Sequence, residues 1–125
     1  MILALGIDLV DIDRIRALQH RYDTRLSDRL LGLDELALYE ASRSPHQFLA
    51  GRFAAKEAIV KCLGRWLENR PPWKEMQVLN DPAGQPRVAF SAAITGEIGD
   101  VRCLVSITHE RTHAAAVAIF TDDPA

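Results

Sequence analysis

One stretch constrains this chain more than any other. Residues 45–63, PHQFLAGRFAAKEAIVKCL, are framed by Ser44 before and Gly64 after. Ser44-Pro45 puts a hydroxyl residue at the capping position and proline at the first helical position, where its missing N–H costs nothing. Gly64 follows the last apolar residue, as helix ends favour. The stretch therefore predicts one long helix. Leu49, Phe53, Val60 and Leu63 form its expected core stripe, and Ala50, Ala54, Ala55 and Ala58 give a small-residue side that permits close packing.

Arg52, Lys56, Glu57 and Lys61 lie inside this helix. Glu57 and Lys61 are four apart and share a face. On a generic helix such a pair is a solvated salt bridge. Here alanines and aliphatics surround Glu57, so a second reading stands beside the first: an acid that serves a site. Arg52, Lys56 and Lys61 would then form a cationic wall along the helix.

The remaining elements fall around it. Leu3 to Val10 is apolar with little alternation and reads as a strand buried on both faces. Asp11 to Tyr22 reads as a helix with Ile12, Ile15 and Leu18 at helical spacing and an acid at its start. Leu26 to Leu31 is a short helix ending at Gly32, and Asp34 caps another through Ala41. Residues 65–74, with two prolines, two arginines and two tryptophans, form a loop. Met76 to Leu79 and Pro86 to Phe90 flank the turn signal Asn80-Asp81-Pro82-Ala83-Gly84. Ser91 to Ile98 is a helix, and Val101 to Thr108 and Ala114 to Phe120 are strands. The order predicts a single α+β domain over residues 1–125, an antiparallel sheet packed on a long helix.

Composition removes several function classes. The formal net charge is −2 and the pI about 6.1, so no general basic field invites nucleic acid. No apolar run reaches the roughly 18 residues of a membrane span. MILALGIDLV lacks the basic flank and cleavage site of a signal peptide, which makes the cytoplasm the default compartment. Cys62 and Cys103 read as core thiols. No GxxxxGK[ST] loop, GxGxxG or serine elbow is present.

Four features could carry chemistry. Asp8 is a carboxylate near the end of an apolar strand, and burial there is costly unless it is paired or ligates a metal. A helix-capping role is the plain alternative. Asp8 and Glu57, from separate elements with lysines alongside, suit a Mg²⁺–phosphate site, because Mg²⁺ takes one or two carboxylates and completes its shell with phosphate oxygens and water. Ser106, Thr108 and His109 end a strand, with the two hydroxyls on one face and His109 at the rim. Lastly, Arg14, Leu18, Arg21 and Arg25 fall on one face if the first helix continues. That face is either solvated or a dock for an acidic helix.

Three blocks in this order, GIDLVDIDRI at 6–15, RFAAKEAIVKCLG at 52–64 and VSITHERTHAAAVAI at 105–119, with a weaker NDPAGQPRV at 80–88, resemble the holo-acyl-carrier-protein synthases. These are the small trimeric type of the 4′-phosphopantetheinyl transferase superfamily. The middle block is the most specific, matching F-A-x-K-E-A-x-x-K. The resemblance implies the 4′-phosphopantetheinyl transferase fold and transfer of phosphopantetheine from coenzyme A to a serine of an acyl carrier protein, in fatty-acid or polyketide synthesis. It implies Mg²⁺ at Asp8 and Glu57, and phosphate contact by Lys61. Glu57, or a metal-bound water, is implied as the aid to serine deprotonation. It further implies Arg52 and Lys56 near the phosphates, Ser106, Thr108 and His109 in the coenzyme A pocket, and carrier docking on Arg14, Leu18 and Arg21. A homotrimer with sites between subunits completes the expectation. Two other functions use the same features: a Mg²⁺-dependent phosphate-ester hydrolase, and a non-catalytic trimeric adaptor for an acidic helix. The chain departs from the family pattern after Gly64, where Arg65-Trp66 stands in place of a glycine-type loop, and at Arg25 and Asp28.

Overall fold

The structure is a computed structural model that describes residues 1–124. β1 (Ile2–Asp11) leads into α1 (Ile12–Tyr22), α2 (Thr24–Leu30), α3 (Leu33–Ala41) and the long α4 (Pro45–Leu63). A single 3₁₀ turn (Trp73–Glu75) precedes β2 (Met76–Asn80), β3 (Pro86–Phe90), α5 (Ala92–Ile98), β4 (Arg102–His109) and β5 (His113–Thr121). The strands form an antiparallel sheet in the order β1-β5-β4 and a separate β2-β3 ribbon. The expected α+β organisation is present, divided into these two sheets. Among the described residues, no helix is long and apolar enough to cross a membrane.

The sheet register explains how α4 seats. One face carries the rows Gly6–Ala118–Val105, Asp8–Ala116–Ile107 and Val10–Ala114–His109. Ala114, Ala116 and Ala118 keep its middle strand flat, and Ala54, Ala55 and Ala58 of α4 are buried. Gly6 is where helix and strand come closest. A Cβ there would stand 2.1 Å from the carbonyl oxygen of Ala58, an impossible contact. Phe120 closes one end of the core against the rings of Trp66 and Phe90, at centroid distances of 5.4 and 6.0 Å.

The opposite face of the sheet differs from expectation. β1 reads as buried on both faces, yet Leu5, Ile7 and Leu9 are 66%, 66% and 67% exposed. They align with Ile119, Val117 and Ala115 of β5, then with Leu104, Ser106 and Thr108 of β4. The result is an apolar sheet face left open by this chain alone.

Two local expectations are also corrected. The first helix does not continue to Arg25: Asp23 turns the chain at φ 54°, a conformation that Asp tolerates better than most residues, and α2 starts afresh. Arg25 therefore leaves the face of Arg14 and Leu18. In α3 the cap is Gly32 and not Asp34, because the Glu35 carboxylate accepts the Gly32 N–H at 2.9 Å.

Candidate active site

Asp8 enters the site from β1, on the row that faces α4. Glu57 and Lys61 reach it from α4, one turn apart. Lys61 Nζ donates to the Ile7 carbonyl at 2.6 Å and to Asp8 Oδ1 at 3.3 Å. Its side chain is still 54% exposed, so one ammonium proton remains for a ligand. Asp8 and Glu57 are partly open, with side chains 19% and 21% exposed, not buried as the apolar sequence around them implies.

Both acids line one cavity of about 470 Å³, together with Asp11, Arg14, Leu18, Phe53 and His113. The start of α1 forms one of its walls. Asp11 caps that helix, its carboxylate accepting the Asp13 N–H at 2.9 Å, and so fixes where Arg14 and Leu18 fall. Arg14 and Leu18 line this cavity with the acids. Arg21 lies further along α1, exposed, with its guanidinium over the Tyr22 ring.

Glu57 has two partners that sequence reasoning missed. Arg70 grips it with both terminal nitrogens, Nη2 on Oε1 and Nη1 on Oε2, the latter at 3.3 Å. Trp73 Nε1 donates to Oε1, also at 3.3 Å. The two arginines and two tryptophans of the 65–74 loop were the visible signal, without a direction attached to them.

Lys56 is corrected. It does not stand beside Lys61, and no cationic wall forms. Its side chain is fully buried on another stripe of α4. Nζ donates to Glu35 Oε1 at 2.6 Å, to the Leu30 carbonyl at 2.5 Å and to the Trp73 carbonyl at 3.1 Å. All three protons are used, so Lys56 has none for a phosphate. Glu35 is equally saturated, taking the N–H groups of Gly32 and Val78 as well. Burial lowers the Lys56 pKa, and the adjoining Glu35 charge opposes that shift.

Arg52 shares the Lys56 stripe, four residues earlier. Its Nε donates to the Val78 carbonyl at 3.0 Å and its Nη2 to Asn80 Oδ1 at 3.3 Å. The guanidinium stacks 4.3 Å from the Phe48 ring centroid. Arg52 and His109 line a second, smaller groove of about 230 Å³ with Ser42, Ser44 and Gln47. That groove borders β4, whereas Asp8 sits on β1 at the opposite edge of the sheet. Ser106 and Thr108 lie on the open apolar face and join neither cavity. Within one chain the expected coenzyme A residues are therefore split.

The two carboxylates facing one cavity fit a hard divalent cation. They are oxygen donors from separate elements, with room left for phosphate oxygens.

Comparison with known proteins identifies the family and the fold. The sequence pattern of the 4′-phosphopantetheinyl transferase superfamily covers residues 4–118. A holo-[acyl-carrier-protein] synthase of Ralstonia nicotianae is 35% identical across 94% of this chain and 91% of its own length. One from Shewanella denitrificans is 38% identical across 94% and 96%. Among solved structures, the Neisseria meningitidis holo-[acyl-carrier-protein] synthase superposes with a TM-score of 0.88 at 27% identity, covering 97% of this chain and 99% of its own. The Helicobacter pylori synthase in complex with coenzyme A superposes with a TM-score of 0.83 at 25% identity, covering 94% and 100%. With the superfamily pattern over most of its length and relatives at 35% and 38% identity, the chain belongs to the 4′-phosphopantetheinyl transferase superfamily, among the holo-acyl-carrier-protein synthases.

Proposed function

We propose that this enzyme transfers the 4′-phosphopantetheine arm of coenzyme A to a serine of an apo acyl carrier protein and releases 3′,5′-ADP. The serine oxygen attacks the β-phosphorus of coenzyme A, the bond from that phosphorus to the bridging oxygen breaks, and the ADP half leaves. The observation that carries this reading is a single cavity holding Asp8 and Glu57 with the Arg14–Leu18 wall of α1, beside the ammonium of Lys61. It joins acids suited to a cation, a charge for phosphate, and a surface for a protein partner.

Asp8 and Glu57 would hold Mg²⁺, which when bound neutralises diphosphate charge and orients the scissile group. Lys61, anchored by the Ile7 carbonyl and Asp8, presents its remaining proton to a phosphate oxygen. Glu57 would take the serine proton once its hold on Arg70 loosens. Arg14 and Leu18 dock the carrier next to the acids, with Arg21 extending that surface along the helix. Because little covalent chemistry falls to side chains, positioning and charge account for most of the rate.

A homotrimer would account for the split half-sites. The open face of Leu5, Ile7, Leu9, Val117 and Ile119 is an apolar patch of the kind that oligomers cover. Covering it with further copies would bring Ser106 and Thr108 into an interface, and a site shared between copies would reunite the Arg52–His109 groove with the acids. The coenzyme A pocket is then completed by two chains, in the cytoplasm where carrier proteins are made holo.

The test is to incubate the protein with coenzyme A, Mg²⁺ and an apo carrier, and to weigh the carrier by mass spectrometry. The expected result is a gain of one phosphopantetheine mass. No gain across several carriers, or release of ADP product without any carrier, overturns the reading; the second outcome would favour a hydrolase.

A further inference from the structure

Arg70 belongs to the loop that departs from the family's glycine type, and it touches the site at its most sensitive atom pair. Its guanidinium forks onto both oxygens of Glu57. That is the strongest geometry an arginine offers a carboxylate. Trp73 fixes the pair from two sides: its Nε1 donates to Glu57 Oε1, and its ring lies 5.2 Å from the Arg70 guanidinium. Asp8 is held more loosely, by Lys61 alone at 3.3 Å and through one oxygen.

The oxygens that Arg70 takes are those a divalent cation would take. A guanidinium and a metal ion on the same carboxylate repel each other, since unit charges about 4 Å apart at a protein surface interact by several times thermal energy. Behind Arg70 lies a groove of about 690 Å³ bounded by Arg25, Arg29 and Lys74, with Asp28 as its one acid. The groove gives the arm room to withdraw.

We propose that Arg70 competes with the divalent cation for Glu57 and thereby sets how tightly this enzyme binds its metal. Arg70 is a positioning residue in this account: it acts through Glu57. The proposal rests on the metal reading of Asp8 and Glu57 given above.

The experiment titrates Mn²⁺ into the protein without coenzyme A, following free Mn²⁺ by electron paramagnetic resonance. Four proteins are compared with wild type: Arg70→Gln, Arg70→Lys, Arg29→Gln and Asp8→Asn. Arg70→Gln is expected to tighten Mn²⁺ binding by roughly five- to twentyfold, and Arg70→Lys, which keeps the charge and loses the fork, by less. Arg29→Gln, which lowers the local positive field without touching Glu57, should change affinity by under about twofold. Equal or weaker binding by Arg70→Gln overturns the proposal, as does an equal gain from Arg29→Gln. If wild type binds no Mn²⁺, or Asp8→Asn leaves its affinity unchanged, the metal reading itself falls and takes the proposal with it.

Discussion

Lys56 and Glu57 are consecutive on α4, and their surroundings differ in kind. Lys56 turns inward to a closed cluster in which each proton of its ammonium meets an acceptor, and Glu35 meets two backbone N–H groups besides. Glu57 turns about 100° away, to the mouth of a cavity shared with Asp8, where its partners are a loop arginine and an indole N–H. Both settings pair a carboxylate with a cation. The closed one has no capacity left for a ligand and ties α2, α3, α4 and β2 together. The open one can exchange its partners, which is what a site needs. The lesson is that the number of unspent hydrogen-bonding positions, and access to them, separates a structural ion cluster from a chemical one.

The largest effect expected from breaking this contrast is on stability at the closed cluster. Lys56→Met leaves Glu35 buried with a lost charge partner, and removing one member of such a pair costs about 3–5 kcal/mol. Thermal unfolding followed by circular dichroism should fall by more than about 10 °C. Adding Glu35→Gln should recover part of that loss, because the neutral amide still offers Gly32 or Val78 an acceptor. A Lys56→Met protein with the wild-type melting temperature would show that the cluster does not hold the elements together.

The next effect concerns whether the open site is complete in one chain. Ile7→Glu places a charge in the middle of the exposed apolar face without touching Asp8 or Glu57. Under the trimer proposal, light scattering should report a shift from trimer to monomer, with transfer falling at least about a hundredfold. A fully active monomer would mean that each chain builds its own coenzyme A pocket, and that the split between Arg52–His109 and Asp8–Glu57 has another meaning.

A smaller effect is expected at the cavity wall. Arg14→Glu should raise the KM for the carrier roughly tenfold and leave the KM for coenzyme A near its wild-type value. The penalty should grow as ionic strength is lowered, since screening weakens both the lost attraction and the new repulsion. Carrier KM values that match at every salt concentration would remove Arg14 from the docking surface.

Much of the frame was legible before the structure. Pro45 and Gly64 bracketed α4, Asp81-Pro82-Ala83-Gly84 placed the β2–β3 turn, and Asp8 and Glu57 stood out as acids in apolar surroundings. What escaped has physical causes. Apolar and small residues run almost all the way round α4, so periodicity could not say that Lys56 faces the interior and Glu57 the cavity. Glu35 lies in the first turn of α3, where acids are common, and its buried setting comes from Lys56, 21 positions later. The break at Asp23 needed a backbone conformation that residue type permits without requiring. Arg70 sits in a loop whose path is set by Trp73 against Phe53, rings 5.7 Å apart, a contact no local pattern encodes. The unbroken apolar run of β1 is the instructive case. As a statement about one chain it was wrong, and under the trimer proposal the further copies would cover that face.

The central claim is that Asp8 and Glu57 serve the reaction while the neighbouring closed cluster serves the fold. Its most direct test is the Mg²⁺ dependence of carrier modification by Asp8→Asn and Glu57→Gln, measured beside their melting temperatures. The account predicts a fall in transfer of at least about a thousandfold, equivalent to roughly 4 kcal/mol of transition-state stabilisation, with melting within a few degrees of wild type. Either variant transferring at the wild-type rate in limiting Mg²⁺ would contradict it.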